Sequence, residues 1–193
     1  MKRFLCLFFA LWTGIPLYAQ DILPQFFDNS STSTEYYLTF LPAWPQQGEI
    51  NNIKVYISST VETEVTLEVK DQEYVQKKLT KPNEIIELIL PITVAQPYSK
   101  TDRDPTPKDA VYRHKAVHIT AKDPIIVYGM TRYHHSSEGY LGIPVSALGK
   151  EYIIASSADS GDNGTSEGRY LPSQAGIVAA FDNTKIIFTL RVN

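Results

Sequence analysis

The residues best able to do chemistry are the histidines, whose spacing decides whether two of them could share a metal ion. His114 and His118 stand four residues apart, a spacing that on a helix would place two ligands side by side. His118, however, lies in the β-type run Val117 to Tyr128, and four residues of strand separate two side chains by about 13 Å. His134 and His135 are adjacent, and on a strand they would point to opposite faces. We therefore expect no metal site made of histidines.

A polar loop in the C-terminal part carries a weak calcium candidate, because Ca²⁺ prefers several oxygen ligands. Its oxygen-bearing side chains are Asp159, Asp162, Asn163 and Glu167. An EF-hand counted from Asp159 needs Asp or Asn at its third position and Glu at its twelfth, where Gly161 and Tyr170 stand. A turn-rich loop is the simpler interpretation. We expect no cofactor.

The sequence also lacks the motifs of common catalytic sites. It has no Gly-x-Ser-x-Gly elbow, no His-Glu-x-x-His and no Gly-Lys-Ser/Thr phosphate loop, and its single cysteine is Cys6. Paired carboxylates could still meet in three dimensions, as glycoside hydrolysis requires. The sequence therefore predicts that the protein is not an enzyme, with a glycan-active enzyme as the third-ranked alternative.

A mixed aromatic and basic segment offers the candidate binding residues. They are Arg132, Tyr133, His134, His135 and Tyr140, which fall between two β-type runs. Tyr, Arg and His supply binding energy when a loop exposes them. The alternative interpretation is that Tyr133 and Tyr140 cover the edge of the core while the other residues are solvated.

The first 20 residues have the order of a secretory signal peptide. Lys2 and Arg3 precede the apolar run Phe4 to Leu17, and Ala19 offers a small residue for cleavage. The net charge is −3, and losing the two basic residues would make it −5. An acidic chain has no electrostatic reason to bind nucleic acid. We expect a secreted or cell-surface protein that does not insert into a membrane after the signal is removed.

The rest of the chain reads as short strands separated by turns. Residues alternate between apolar and polar, most strictly from Thr63 to Lys70, where Val65, Leu67 and Val69 share one face. The other predicted strands are 36–40, 53–58, 73–79, 85–90, 116–120, 125–130, 152–156, 176–181 and 185–192, and at most one helical turn is expected, at 145–148. This pattern predicts an all-β fold of antiparallel β-sandwich-like units, with a propeller-like repeat of β-sheets as the alternative.

A weak internal repeat divides the chain after its signal. Glu35-Tyr36-Tyr37-Leu38 recurs as Glu151-Tyr152-Ile153-Ile154, and the two segments 55–59 and 63–69 are echoed by 176–180 and 184–190. We therefore expect a first β unit at 21–150 and the start of a second, incomplete unit at 151–193, within a longer protein. Asp182-Asn183-Thr184 is expected to form a tight turn.

The most distinctive part of the sequence lies between His118 and Phe188. It includes HITAKDPIIVYG at 118–129, GYLGIPVSALGKEY at 139–152 and SQAGIVAA at 173–180. This succession resembles the IgGFc-binding protein N-terminal domain family, found in a mucus-associated animal protein and in many exported bacterial proteins. The resemblance implies an extracellular binding or adhesion module that recognises a protein or glycoprotein surface. A structural spacer within a larger exported surface protein is the alternative.

Overall fold

The structure, a computed structural model, describes residues 31–41, 52–70, 72–97, 111–133, 137–155 and 175–189. These ranges form seven strands: β1 (Ser33–Leu38), β2 (Asn52–Ser58), β3 (Glu64–Val69), β4 (Tyr74–Leu79), β5 (Ile85–Pro91), β6 (Val117–Arg132) and β7 (Ser137–Leu141). A four-residue helix, α1 (Ile92–Ala95), follows β5, and a 3-10 turn spans Val145–Ala147. Every pair of strands is antiparallel, which confirms the predicted all-β class.

The alternation in the sequence determines which face of each strand is buried. On β3, Val65, Leu67 and Val69 point into the core, while Thr66 and Glu68 between them face outward. On β2, Ile53 and Ile57 are fully buried in the same way. Each buried aliphatic side chain contributes about 1.5–3 kcal/mol by leaving water. These faces form one continuous core.

The long strand β6 joins two sheets. Its first half, up to Ile125, pairs with β1 and β3, and β4 extends that group; we call this the first sheet. Its second half pairs with β2 and β7, and β5 extends that group; we call this the second sheet. Pro124 lies where the strand passes between sheets, and its carbonyl accepts a hydrogen bond from Ser59 Oγ at 2.9 Å. Proline has no N–H to donate, so it would break the hydrogen bonding inside either ladder. At the junction between the two ladders it is tolerated.

Side chains and one bridge bring the outer edges of the two sheets together. Tyr74 Oη and Gln76 Nε2 on β4 both donate to the carbonyl of Ile89 on β5, at 3.0 and 2.8 Å. At the opposite edges, Tyr36 on β1 forms an isolated bridge with Pro144, just after β7. The result is a nearly closed, barrel-like sheet around the core.

Three features differ from the sequence-based expectations. The predicted strands 116–120 and 125–130 are one strand, because β6 continues through Pro124 without interruption. The segment from Arg132 to Tyr140 is not a continuous loop, since β7 begins at Ser137 and pairs back on β6. Helix α1 was not predicted, whereas the single helical turn expected at 145–148 is confirmed as the 3-10 turn.

The described residues of the expected second unit contain no strand. Residues 151–155 and 175–189 lack ladder pairing, although strands were predicted there. The turn at Asp182-Asn183-Thr184 is confirmed: Thr184 Oγ1 donates to the carbonyl of Phe181 at 2.7 Å, and Asn183 has a φ of 59°. Within the described part of the chain, no helix is long and apolar enough to cross a membrane.

Candidate functional site

A histidine held between two carboxylates stands on the outer face of the first sheet. His118 Nδ1 lies 3.0 Å from Glu68 Oε1, and His118 Nε2 lies 2.9 Å from Glu35 Oε1. The ring of Tyr37 stacks on the imidazole, with centroids 4.3 Å apart and planes 10° from parallel. These four residues, which we call the His118 cluster, come from three neighbouring strands.

The register of the first sheet explains why these residues meet. His118 on β6 is directly opposite Tyr37 on β1 and Glu68 on β3. Glu35 lies two residues before Tyr37, so it projects from the same face of β1 and reaches His118 diagonally. Tyr36, between them, points into the core. Burial of the apolar face therefore forces the polar residues onto one outward surface.

Both ring nitrogens of His118 lie within hydrogen-bond distance of a carboxylate oxygen. An ionised carboxylate accepts hydrogen bonds but donates none, and a neutral imidazole has one N–H. Contacts from both ring nitrogens to Glu35 and Glu68 are satisfied together when the ring is doubly protonated, which makes both contacts charge-assisted. The cluster then carries one net negative charge.

The surroundings of the cluster are acidic as well. Burial raises the pKa of the Tyr37 hydroxyl, and the negative charges of Glu35, Glu68 and Asp182 raise it further. Asp182 belongs to the turn after Phe181, so this turn lies close to the outer side of β1. A tyrosine kept neutral in this way can donate a hydrogen bond over the whole physiological range of pH.

An open groove of about 460 Å³ continues the same face of the sheet. Thr120 on β6 is paired with Thr66 on β3, and both hydroxyl side chains lie on the groove. Lys77 Nζ on β4 pairs with Glu64 Oε1 at 3.2 Å. The groove is lined by Glu62, Thr63, Glu64, Thr66, Leu79, Thr120, Ala121, Lys122 and Asp123. The groove and the His118 cluster together form one polar surface, which we call the His118 face.

Of the five binding residues predicted from sequence, the structure describes Arg132, Tyr133 and Tyr140. Arg132 is exposed at the end of β6, but Tyr133 is 4% exposed and its hydroxyl donates to Gln96 Oε1. His134 and His135 lie outside the described residues. Tyr133 is therefore buried against the core, as the alternative interpretation expected.

Tyr140 connects the edges of the two sheets. Its hydroxyl donates to the carbonyl of Thr39 at 2.7 Å and accepts from the Thr39 N–H at 3.1 Å. Its ring packs against Phe40, with centroids 5.8 Å apart. Burial raises the pKa of Tyr140, so the hydroxyl stays protonated. These contacts indicate that its first role is to hold the barrel edge together.

The structure contains no metal-binding group of three or more His, Cys, Asp or Glu residues in its described ranges. In the His118 cluster, the carboxylates of Glu35 and Glu68 contact opposite nitrogens and do not converge on one point. His114 lies outside the strand, with a φ of 60°, and is not part of the cluster. The weak calcium candidates Asp159, Asp162, Asn163 and Glu167 lie outside the described residues.

The His118 cluster is absent from the sequence-based site predictions. Alternation alone could have placed Glu35, Glu68 and His118 on outward faces of their strands. Their meeting depends on β1 and β3 flanking β6 in one register, which the alternation does not specify.

Comparisons with known proteins give little guidance on function. No protein-family model and no curated protein matches the chain. One similar solved structure, "Crystal Structure of Thermotoga maritima 1070", is 10% identical over 57% of this chain and 92% of that chain, with a TM-score of 0.34. A similarity this weak carries no argument. The resemblance to the IgGFc-binding protein N-terminal domain family stays a hypothesis.

Proposed function

We propose that the protein is an extracellular recognition module that binds a protein or glycoprotein through the His118 face. The observation that carries the proposal is the His118 cluster: Glu35 and Tyr37 on β1 and Glu68 on β3 fix the imidazole of His118 from both neighbouring strands. Side chains held on strands lose less conformational freedom when a ligand binds than side chains on loops. The open groove beside the cluster gives a ligand access to the same polar surface.

The groups on this face define the chemistry of the ligand. Carboxylates and threonine hydroxyls are the main polar groups of this face; the carboxylates accept hydrogen bonds, and the hydroxyls both accept and donate them. Sugar hydroxyls and the Lys or Arg side chains of a protein are the donors that such a surface recognises. A phosphorylated or otherwise polyanionic ligand would meet repulsion from Glu62, Glu64 and Asp123.

Export of the protein is part of the proposal. It rests on the signal-like order of residues 1–20, which lie outside the described residues. The resemblance to exported binding domains points the same way. Secretion can be checked by detecting a processed form that begins near residue 21 outside the cell.

The spacer interpretation is the second candidate, and the internal repeat favours it. Repeated β units in series can set a distance between other domains without binding a ligand of their own. A glycan-active enzyme ranks third. The His118 cluster has two carboxylates, but both contact the same imidazole, so they do not face each other across a substrate site as the two carboxylates of a glycosidase do.

The test compares binding by the wild type and by the double variant Glu35→Gln/Glu68→Gln. Mucin, immunoglobulin G and a glycan array serve as ligands, at micromolar protein. We expect a ligand from this set to bind the wild type and to lose at least about tenfold in affinity with the double variant, since charge-assisted hydrogen bonds contribute about 1.5–3 kcal/mol. Glu138→Gln, on the exposed strand β7, is the matched control and should bind normally.

Two results would contradict the proposal. Unchanged binding by the double variant would move the binding site away from the His118 face. No binding to any ligand in the set would favour the spacer. Equal melting temperatures of the wild type and the variants must accompany the comparison, so that loss of folding is not mistaken for loss of binding.

A further inference from the structure

The outer face of the second sheet carries a row of four side chains brought together by strand pairing. Tyr128 on β6 lies directly opposite Tyr56 on β2 and Leu141 on β7. Tyr56 in turn lies opposite Glu87 on β5. Neighbouring strands are about 4.8 Å apart, so this row, which we call the tyrosine row, is about 14 Å long.

The alternation of burial on β2 and β6 turns both tyrosines outward. Val55 and Val127 are fully buried, and Tyr56 and Tyr128 follow them on the opposite face of their strands. The side chain of Tyr128 is 49% exposed and that of Leu141 is 41% exposed. A ring held half exposed on a paired strand is available to a ligand without a rearrangement of the backbone.

An ion pair lies at the β5 end of the tyrosine row. Lys54 Nζ lies 2.6 Å from Glu87 Oε2 and 5.9 Å from the centroid of the Tyr56 ring. Hydrogen bonds from Lys54 and from the Tyr56 hydroxyl hold the pKa of the Glu87 carboxyl below its usual range. The carboxylate and the ammonium are therefore both charged at neutral pH, and their charges cancel. The row offers aromatic surface beside hydrogen-bond donors and acceptors without a local net charge.

This composition disfavours two common partners of exposed aromatic residues. The centre of a protein–protein interface is depleted in charged residues, whereas Lys54 and Glu87 lie within this face. Nucleobases stack on tyrosine, but they bring phosphates. The positive charge of Lys54 is already neutralised by Glu87, and the whole chain has a net charge of −3.

We propose that the tyrosine row is a second binding site, separate from the His118 face, which takes a neutral sugar ring of a glycan chain. A sugar ring has a C–H face and a rim of hydroxyls, so it needs both kinds of surface at once. Its C–H face would pack on the ring of Tyr128, whose electron-rich face attracts polarised C–H groups. Its hydroxyls would donate to the Glu87 carboxylate and accept from Lys54 Nζ. The length of the row suits a short oligosaccharide.

The chemistry of the tyrosine row differs from that of the His118 face. The His118 face lies on the first sheet and is rich in carboxylates, so it suits ligands that donate hydrogen bonds or carry positive charge. The tyrosine row lies on the second sheet and is neutral and aromatic. We therefore expect added sialic acid, which is anionic, to bring no gain in affinity at the tyrosine row.

The experiment titrates the chain with cellohexaose, maltohexaose and N-acetylchitohexaose at millimolar concentration, followed by saturation-transfer difference NMR. We expect at least one of them to bind, with the strongest transfer to protons of the sugar C–H face. Tyr128→Ala should weaken this binding about threefold to tenfold, whereas Tyr128→Phe, which keeps the ring, should retain most of it. Tyr152→Ala removes an exposed tyrosine outside the second sheet and is the matched control, with unchanged affinity.

A second variant, Leu141→Ala, shortens the row at its β7 end and should also weaken binding, so the result does not depend on Tyr128 alone. Binding of none of the three sugars would overturn the proposal, and so would equal losses in Tyr128→Ala and Tyr152→Ala. Loss of sugar binding in Glu35→Gln/Glu68→Gln would move the sugar to the His118 face, which overturns this proposal and supports the other. A dimer that Tyr128→Ala dissociates, measured by light scattering, would overturn it by identifying a second copy as the occupant.

Discussion

The buried hydroxyl of Tyr36 allows a quantitative prediction about stability at alkaline pH. The ring is 0% exposed, and the hydroxyl lies 2.5 Å from the carbonyl oxygen of Ile125 and 2.9 Å from that of Ser31. Burial raises the pKa of Tyr36 from 10.0 to about 12, because the phenolate would lose its water. The protonated form is therefore favoured in the folded state.

The sign and size of the effect follow from linkage. The folded pKa is above the unfolded one, so the stabilisation is fully present below pH 10 and is lost as the pH rises toward 12. A difference of two pKa units corresponds to about 2.7 kcal/mol in the free energy of unfolding. About half of this, roughly 1.4 kcal/mol, should already be lost at pH 11.

The variant Tyr36→Phe separates this contribution from those of other groups. Without the hydroxyl it loses a hydrogen bond, which should lower the free energy of unfolding by about 1 kcal/mol at pH 8. It also has nothing to ionise at this position, so its stability should fall less steeply above pH 10. The two curves are therefore expected to cross near pH 11.

Urea unfolding monitored by circular dichroism from pH 8 to pH 11.5 measures both curves. Tyr152→Phe, at the exposed counterpart in the repeat, is the control and should keep the slope of the wild type. Parallel curves for the wild type and Tyr36→Phe over the whole range would refute the reasoning. That result would mean that the Tyr36 hydroxyl is hydrated in the folded state.

Three further substitutions test the packing, each by its free energy of unfolding in urea. Gly129→Ala should cost about 1–3 kcal/mol, since a Cβ there would stand 2.8 Å from Phe40 Cε1; a neutral result would show that the ring can move aside. Leu67→Ala should cost about 2–5 kcal/mol, whereas Phe188→Ala, at the exposed equivalent position, should cost almost nothing; equal losses would contradict the burial difference. Thr80→Val should cost about 1–3 kcal/mol, because its buried hydroxyl bonds backbone groups of the loop before β3, and full stability would mean that water replaces those bonds.

Local alternation was enough to predict the all-β class and to say which side chains of most strands face inward. A period of two with one apolar face has a single low-energy arrangement, which is why the inward positions of β2 and β3 are predicted correctly. The same local pattern also predicted strands at 152–156, 176–181 and 185–192. The described residues there form none, because an apolar face and a β propensity do not provide a partner ladder.

Which strands pair, and in which register, became visible only in the folded chain. The tertiary structure makes β6 one strand through Pro124 and sets β1 and β3 on its two edges, so Glu35 and Glu68 meet His118. It also buries Tyr133 in the core and bonds the Tyr140 hydroxyl to Thr39. Both tyrosines were selected from the sequence as binding residues, and both have structural contacts in the fold. The physical reason is that alternation is a local property, whereas register and pairing depend on contacts between segments far apart in the chain.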